Sequence, residues 1–296
     1  MDVQCSLGQF IITSASNRLL EIVNMQQCDH IPVSVVIPCF RCAPTIKRAI
    51  DSIVQQSAIP TEVILVDDAS GDETWTVLTE LEQAYPGWVK VLQLKENRGA
   101  ASARNAGWNL ASQPYIAFLD ADDAWHPRKI EFQLAYMDAN PDVALSGHGH
   151  RLMSKNSLPD WSISQGDARV ISKLSLLFSN KIVTPSIMVR RNVSYRFLAG
   201  RRYMEDQLLL LEMVFDGVRI DKINIDLVAT YKRSYGAGGL SANLWRMELY
   251  ELGNYRYFHR NKKLSLFYFY GLILFSLLKF LRRVCISVFW RIRDYH

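Results

Sequence analysis

From residue 33 onward, apolar runs of strand length alternate with longer stretches whose apolar residues recur every three to four positions. Val33-Ser-Val-Val-Ile-Pro38 predicts a buried strand, and Ile46, Ala49, Ile50 and Ile53 predict one face of a helix over 45–56. Glu62–Val66 predicts a second strand ending in Asp67-Asp68, and Val77, Leu78 and Leu81 mark a helix over 74–85. Val89–Leu94 is a third strand, the small-residue stretch Ala100–Ala111 a helix, and Tyr115–Leu119 a fourth strand that runs into Asp120-Ala-Asp-Asp123. A helix between successive strands implies βαβ units. The fold expected is therefore a Rossmann-type α/β, a mostly parallel sheet sandwiched by helices.

The pattern is less regular further on. Val143–Ser146 and Ser186–Val189 predict strands, Val170–Phe178 a helix, Arg202–Phe215 a helix begun by Glu205-Asp206, Val218–Tyr231 an extended segment and Leu240–Tyr257 a helix. Residues 1–31 are mixed, with a short helix expected near Asn17–Met25. The organisation read from this is an N-terminal extension (1–31), a first half (32–142), a second half (143–259) and a tail (260–296).

Composition narrows the class. The chain has 296 residues, 49% hydrophobic and 21% charged, enough to build a core, so disorder and a disulfide-dense mini-scaffold are excluded. Charge changes the picture more. The net charge is +5, yet residues 260–296 hold eight bases and one acid (+7), which leaves 1–259 at −2. A nucleic-acid binder should carry its basic patch on the folded body, so no nucleic-acid partner is expected. A basic and hydrophobic tail instead suits an anionic membrane surface. Leu264–Leu281 is 18 residues with one charge, Lys279, borderline for a span that takes about 20 apolar residues. Its aromatics (Phe267, Tyr268, Phe269, Tyr270, Phe275 and Phe280), with Phe289 and Trp290 beyond, suit the interface. The tail is expected to lie on the membrane or dip into it. A true span, or packing on the body or on a second copy in a homo-oligomer, are the alternatives. Five cysteines, with no second pair beside Cys39 and Cys42, indicate reduced packing residues rather than a zinc site. No signal peptide is visible, so the expected location is the cytoplasm, peripherally attached to the cytoplasmic face of the membrane.

In parallel α/β sheets, ligands bind beyond the carboxyl ends of the strands. Three of those ends carry polar groups here: Pro38-Cys-Phe-Arg41, Asp67-Asp68 and Asp120–Asp123. Clustered carboxylates such as Asp120, Asp122 and Asp123 repel one another and resist desolvation, and a hard cation relieves both costs. Mg²⁺ or Mn²⁺ takes one or two protein carboxylates and fills its shell with water and phosphate oxygens, so a metal–diphosphate site is suggested. In Asn97–Gly107, Gly99 permits a tight turn and the small residues permit close helix–sheet packing. Arg98 and Arg104 could face phosphate oxygens, or Arg104 could lie on the surface. Glu205-Asp206 at a helix start is either a dipole-stabilised cap or a general base that takes a proton from an attacking hydroxyl. His148 and His150 share a strand face, for packing or an acceptor-pocket wall rather than a metal.

With these residues assembled, the chain resembles the family-2 glycosyltransferases of GT-A fold, especially bacterial enzymes of surface-polysaccharide synthesis, over roughly residues 33–241. Ser34–Pro38 matches the opening strand, Val66–Asp72 the V-D-D-G-S-x-D motif, Asn97–Gly99 with Ala103–Gly107 the N-x-G…A-R-N-x-G motif, Phe118–Asp123 the D-x-D, Glu205-Asp206 the E-D pair, and Tyr231–Arg233 with Gly239–Ser241 the late segment over the diphosphate. The resemblance implies a nucleotide-sugar-binding half (32–142) and an acceptor-binding half (143–259). Pro38, Phe40 and Asp68 border the base, with Phe40 stacking on it, and Arg98 contacts base or phosphate. Asp120 reaches the ribose or donor sugar, Asp122 ligates a divalent metal (Mn²⁺ or Mg²⁺), and Arg233 and Ser241 meet the diphosphate. Asp206 is the base, and Glu205 holds or orients the acceptor. Two positions depart from the family. Phe40-Arg41 replaces Tyr-Asn, with Arg41 near a phosphate or capping a helix. Ala69 replaces Gly, so that turn is expected not to need positive φ.

The function expected is a metal-dependent, inverting transfer of a sugar from a nucleotide-diphosphate donor, a UDP-sugar being the commonest case, to a hydroxyl of a saccharide or lipid-linked acceptor. Two rivals stand beside it: a synthase that glycosylates polyprenyl phosphate, whose nucleophile needs no base, and a non-catalytic nucleotide-sugar binder.

Overall fold

The computed structural model describes residues 30–153, 157–163, 166–231 and 243–293, with side chains of the last helix to residue 286. The expected helix near Asn17–Met25, Arg233 and Ser241 lie outside the described residues. The first half alternates strictly: β1 (Ile31–Cys39), α1 (Ala43–Val54), β2 (Pro60–Asp67), α2 (Thr74–Ala84), β3 (Val89–Gln93), α3 (Ala100–Leu110) and β4 (Tyr115–Phe118). It continues through β5 (Ala124–Trp125), α4 (Lys129–Ala139) and β6 (Val143–Leu152). Next come β7 (Ala168–Val170), α5 (Lys173–Phe178), a 3₁₀ turn (Thr184–Ser186) and β8 (Met188–Arg190). The chain closes with α6 (Glu205–Phe215), β9 (Arg219–Thr230), α7 (Leu244–Arg260) and α8 (Leu266–Arg293).

One sheet runs through the molecule in the order β3-β2-β1-β4-β8-β6-β9-β5, with β7 on β9. β1 pairs in parallel with β2 on one side and β4 on the other, so the strand order reverses at β1. That reversal opens a crevice at the carboxyl ends of β1 and β4, where doubly wound sheets take their ligands. Period-two alternation divides the core between the faces. Val33, Val35 and Ile37 pack with Ile46, Ile50 and Ile53 of α1 and with Ile130 and Met137 of α4. Val36 packs with Trp108, Phe118, Phe197 and the α6 leucines on the other face. A Cβ on Gly107 would lie 2.4 Å from Val36 Cγ1, so the small residues of α3 do let that helix lie against the sheet.

Beyond β4 the sheet is mixed rather than mostly parallel. β8 runs antiparallel to both β4 and β6, while β6 and β9 are parallel. An antiparallel neighbour needs no helical crossover, which is why this half lacks the strand–helix rhythm. The predicted helix over 170–178 splits into β7 and the short α5, whose start is fixed by Ser172 Oγ accepting from Ser175 N. The sequence reading missed α4 because its buried face includes Lys129 and Gln133 beside Ile130 and Met137, which hides the apolar stripe.

The tail forms α8 and packs along α7, with Leu264, Leu272 and Ser276 buried. Lys279 pairs with Glu251, and Arg283 Nη2 lies 2.6 Å from Glu248 and 3.2 Å from Glu251. Among the described residues no helix is long and apolar enough to cross a membrane. The outer face of α8 still exposes Phe267, Leu274 and Leu278, at 84%, 63% and 58%.

Candidate active site

The polar ends of β1, β2 and β4 meet at the crevice. At the end of β2, Asp67 Oδ1 accepts from Ser70 N (3.2 Å) and Ser70 Oγ (2.5 Å), and Oδ2 accepts from Gln93 (3.0 Å). These bonds hold Ala69 at φ 52, so the turn is left-handed after all, and the expectation drawn from Ala in place of Gly is corrected. An L-residue there costs about 1–2 kcal/mol, and the bonded turn around it sustains the strain. Asp68 accepts from Arg98 N (2.8 Å) and Gly99 N (2.7 Å), so its carboxylate fixes the turn into α3 as well as standing at the strand end. Burial raises the Asp68 pKa, and those two amide bonds oppose the rise. Arg41 lies at φ 50, with its backbone N–H donating to Ser70 Oγ (3.0 Å) and its guanidinium 5.3 Å from the Phe40 ring centroid. Phe40 is exposed and Pro38 is half-buried. The Arg98 side chain is 65% exposed, 3.3 Å from Glu96.

Asp120 and Asp122 follow β4, both half-buried. Burial raises the Asp120 pKa, Arg104 opposes the rise, and neighbouring Asp122 adds to it. Arg48 Nη2 donates to the carbonyl of Asp122 at 2.5 Å, and its guanidinium lies 3.6 Å from the centroid of the Tyr231 ring.

Arg104 contradicts both sequence readings of it. It is neither on the surface nor turned to an open phosphate site: it is buried, with Nη2 2.8 Å from Asp120 Oδ1 and Nη1 3.0 Å from Glu205 Oε1. The guanidinium thereby ties the end of β4 to the start of α6. The carboxylate of Glu205, expected to hold the acceptor, is engaged by this arginine. Asp206, one residue on, accepts from Asn180 Nδ2 (2.8 Å) and Gln207 N (2.7 Å). Burial, and then the charge of Glu205, push its pKa up to about 6, against the Gln207 amide, Arg104 and Asn180.

Asp206, Glu205, Asp120, Arg104 and Asn180 line one cleft of about 740 Å³. His150 stands on its wall, whereas His148 is buried, its pKa pushed by burial down to about 3. Asp122, Pro38, Phe40, Asp68 and Arg98 do not line this cleft. Asp120 is the member of the strand-end group that reaches it. No group of three or more His, Cys, Asp or Glu side chains fit to hold a metal occurs among the described residues.

The sequence reading missed three features. Asn180, which donates to Asp206, lies in a stretch without a motif, marked only by the polar break Ser179-Asn180 after an apolar helix. Arg202 lines the cleft and donates to Asn97 Oδ1 at 2.9 Å. The tail supplies Phe275, Lys279, Arg282 and Arg283 to the cleft wall. The spacing of those three bases, i, i+3 and i+4, was the available signal for one helix face.

Comparison with known proteins places the chain in a family and a fold. The family model described as "Glycosyl transferase family 2" matches residues 34–196. Among curated relatives, UDP-Glc:alpha-D-GlcNAc-diphosphoundecaprenol beta-1,3-glucosyltransferase WfaP of Escherichia coli is 28% identical over 219 residues, 72% of this chain and 81% of that protein. Putative teichuronic acid biosynthesis glycosyltransferase TuaG of Bacillus subtilis is 38% identical over 127 residues, 43% of this chain and 50% of that protein. The crystal structure of S. aureus TarS 1–349 in complex with UDP-GlcNAc superposes with a TM-score of 0.59 at 19% identity, over 76% of this chain and 66% of that one. That likeness shows the GT-A fold.

Proposed function

The chain belongs to glycosyl transferase family 2, which makes it a glycosyltransferase, and we propose that it transfers a sugar from a UDP-sugar, with inversion, to a hydroxyl of a lipid-linked saccharide in polysaccharide synthesis. The observation that carries this reading is Asp206: a carboxylate held by Asn180 in a cleft, and joined through Glu205 and Arg104 to Asp120 at the strand ends. The UDP donor is supported by the UDP-GlcNAc seated in TarS, and the acceptor class by the diphosphoundecaprenol saccharide that names WfaP.

The chemistry follows from these residues. The acceptor hydroxyl must lose its proton as it attacks the anomeric carbon, and Asp206 takes that proton. Its raised pKa makes it a stronger base than an ordinary aspartate, yet it is still ionised at neutral pH. Asn180 and the Gln207 amide fix its direction. The single displacement breaks the bond from the anomeric carbon to the diphosphate oxygen, so one carboxylate suffices and the configuration inverts.

Asp120 and Asp122 fit a divalent cation that shares its shell with a diphosphate. The site offers two carboxylates rather than a cage, and the charge of Asp122 adds to the cost of ionising Asp120. Asp122 would be the principal ligand, since Asp120 Oδ1 is taken by Arg104. When bound, Mg²⁺ or Mn²⁺ supplies charge for the departing diphosphate.

The test is transfer from a UDP-sugar to a saccharide–diphosphate lipid, followed across pH. The base must be ionised, so kcat should fall tenfold per pH unit below about 6, the value to which the Asp206 pKa is raised. A flat profile from pH 4.5 to 7.5 would remove Asp206 from the base role.

The tail supports attachment to the cytoplasmic face of an anionic membrane. Its outer face combines Phe267, Leu274 and Leu278 with the flanking Lys262 and Lys263. Because α8 also walls the cleft, deleting it would confound two roles, so point changes are preferred. Phe267→Ser, Leu274→Ser and Leu278→Ser together should lower co-sedimentation with phosphatidylglycerol vesicles at least tenfold and leave the melting temperature in place. Undiminished vesicle binding would refute the membrane role.

A further inference from the structure

The tail does more than lie against the body. Lys279, Arg282 and Arg283 line the same cleft as Asp206. Two of the three are engaged. Lys279 pairs with Glu251 and donates to the carbonyl of Phe178 at 3.2 Å, and Arg283 bridges Glu248 and Glu251. Both glutamates are buried, so these pairs pin α8 to α7. Arg282 differs. It is exposed, and among the described residues no carboxylate lies against it. One turn back on the helix stands Leu278, and Leu281 adjoins it, both exposed at 58%, with Leu274 a further turn away. One helix thus presents an exposed apolar face and, beside it, a guanidinium with no carboxylate against it among the described residues, lining the cleft that also holds the carboxylate of Asp206.

These three features match the three parts of one class of molecule: hydrocarbon chain, phosphate anion, sugar hydroxyl. We propose that Arg282 is the phosphate-binding residue of the acceptor subsite. It takes the diphosphate of a prenyl-diphosphate saccharide, while the prenyl chain runs along Leu274, Leu278 and Leu281 and the sugar enters the cleft toward Asp206. Guanidinium suits the role because its planar fork of donors matches phosphate oxygens. Lys279 and Arg283 hold the helix in place for it, their own charges matched by Glu251 and Glu248. The inference rests on the lipid-linked acceptor proposed above and names the residue that recognises it.

The test uses the full chain saturated with UDP and Mn²⁺, which fills the donor's diphosphate site. Farnesyl diphosphate and farnesol are titrated separately by calorimetry. The wild type should bind farnesyl diphosphate at least tenfold more tightly than farnesol. Arg282→Ala should weaken farnesyl diphosphate about tenfold, which corresponds to about 1.4 kcal/mol, with farnesol binding and melting temperature unmoved, and Arg282→Lys should recover part of the loss. Equal affinity of wild type and Arg282→Ala for farnesyl diphosphate, or equal affinity of the wild type for the two probes, overturns the proposal. A third arm measures binding to phosphatidylglycerol vesicles without prenyl diphosphate. A tenfold loss for Arg282→Ala in that arm, matched by no selective loss for farnesyl diphosphate, would assign Arg282 to phospholipid headgroups and overturn it as well. Transfer assays separate this inference from the reading beneath it. Sugar transfer that is intact and indifferent to Arg282→Ala sinks the subsite alone. Failure to transfer from any UDP-sugar, with Arg282-dependent binding of farnesyl diphosphate retained, sinks the transfer reading alone.

Discussion

Asp206→Asn is expected to lower turnover about 10²–10⁴-fold, the contribution of a positioned general base, while UDP affinity stays within about twofold. The amide oxygen can keep one of the two contacts that orient the wild-type carboxylate, accepting from Gln207 N, and Asn180 can turn its own amide so that its oxygen accepts from the new NH2, but the variant cannot take up the hydroxyl proton. Stability separates this from damage to the fold. The pKa of Asp206 is raised by burial and by Glu205, so the native state binds a proton more tightly than the unfolded chain does. That preference favours folding at low pH and is lost as pH rises through about 6. Above that pH the wild type folds around an ionised, partly desolvated carboxylate, and the neutral amide avoids this cost. The variant should therefore melt at least as high as the wild type at pH 7.5, with the difference shrinking toward pH 4. Retained turnover would favour the rival in which an anionic polyprenyl phosphate attacks without a base. Lost turnover with a lowered melting temperature would mean that the side chain is structural.

The parts of this molecule legible in the sequence are those in which local pattern and tertiary environment agree. β1, β2 and β4 are apolar on both faces because helices cover both, so their runs are continuous and their ends stand out as Asp67-Asp68 and Asp120–Asp123. Glu205-Asp206 stands out only through the family's E-D pair, because acids at a helix start serve equally as dipole-stabilised caps. The unread parts are those in which a polar residue is buried by a distant partner. Lys129 and Gln133 turn the inward face of α4 into an apparent surface, and Gln133 is satisfied only by the carbonyls of Ser146 and Ser186. Arg104 looked like a phosphate ligand because its carboxylate partners are 16 and 101 residues away. Ala69 looked incompatible with a left-handed turn because the bonds that impose it come from Asp67 and Ser70, not from its own propensity.

Arg104 carries the second large effect, and it should appear first in stability. Its guanidinium is buried, and its pKa is held up by Asp120 and Glu205 against the desolvation that would lower it. Arg104→Met keeps the volume and removes the charge, leaving Glu205 buried and Asp120 half-buried without their cation. Breaking a buried ion pair by removing one partner costs about 3–5 kcal/mol, most of it the orphaned charge rather than the lost attraction. Urea denaturation at pH 7.5 should show a loss of that size. The loss should shrink at pH 5, where an orphaned carboxyl can take a proton. A second change at the partner distinguishes this account from simple loss of packing. Glu205→Gln in the Arg104→Met background removes one orphaned charge and should recover about 1–3 kcal/mol, whereas two independent packing defects would add. Recovery of stability is not expected to bring back turnover, because the double variant no longer has the link that sets Asp120 and the start of α6, with Asp206, at a fixed separation across the cleft. A double variant that regained both would show that Arg104 only neutralises its neighbours and that the catalytic spacing is set by the sheet.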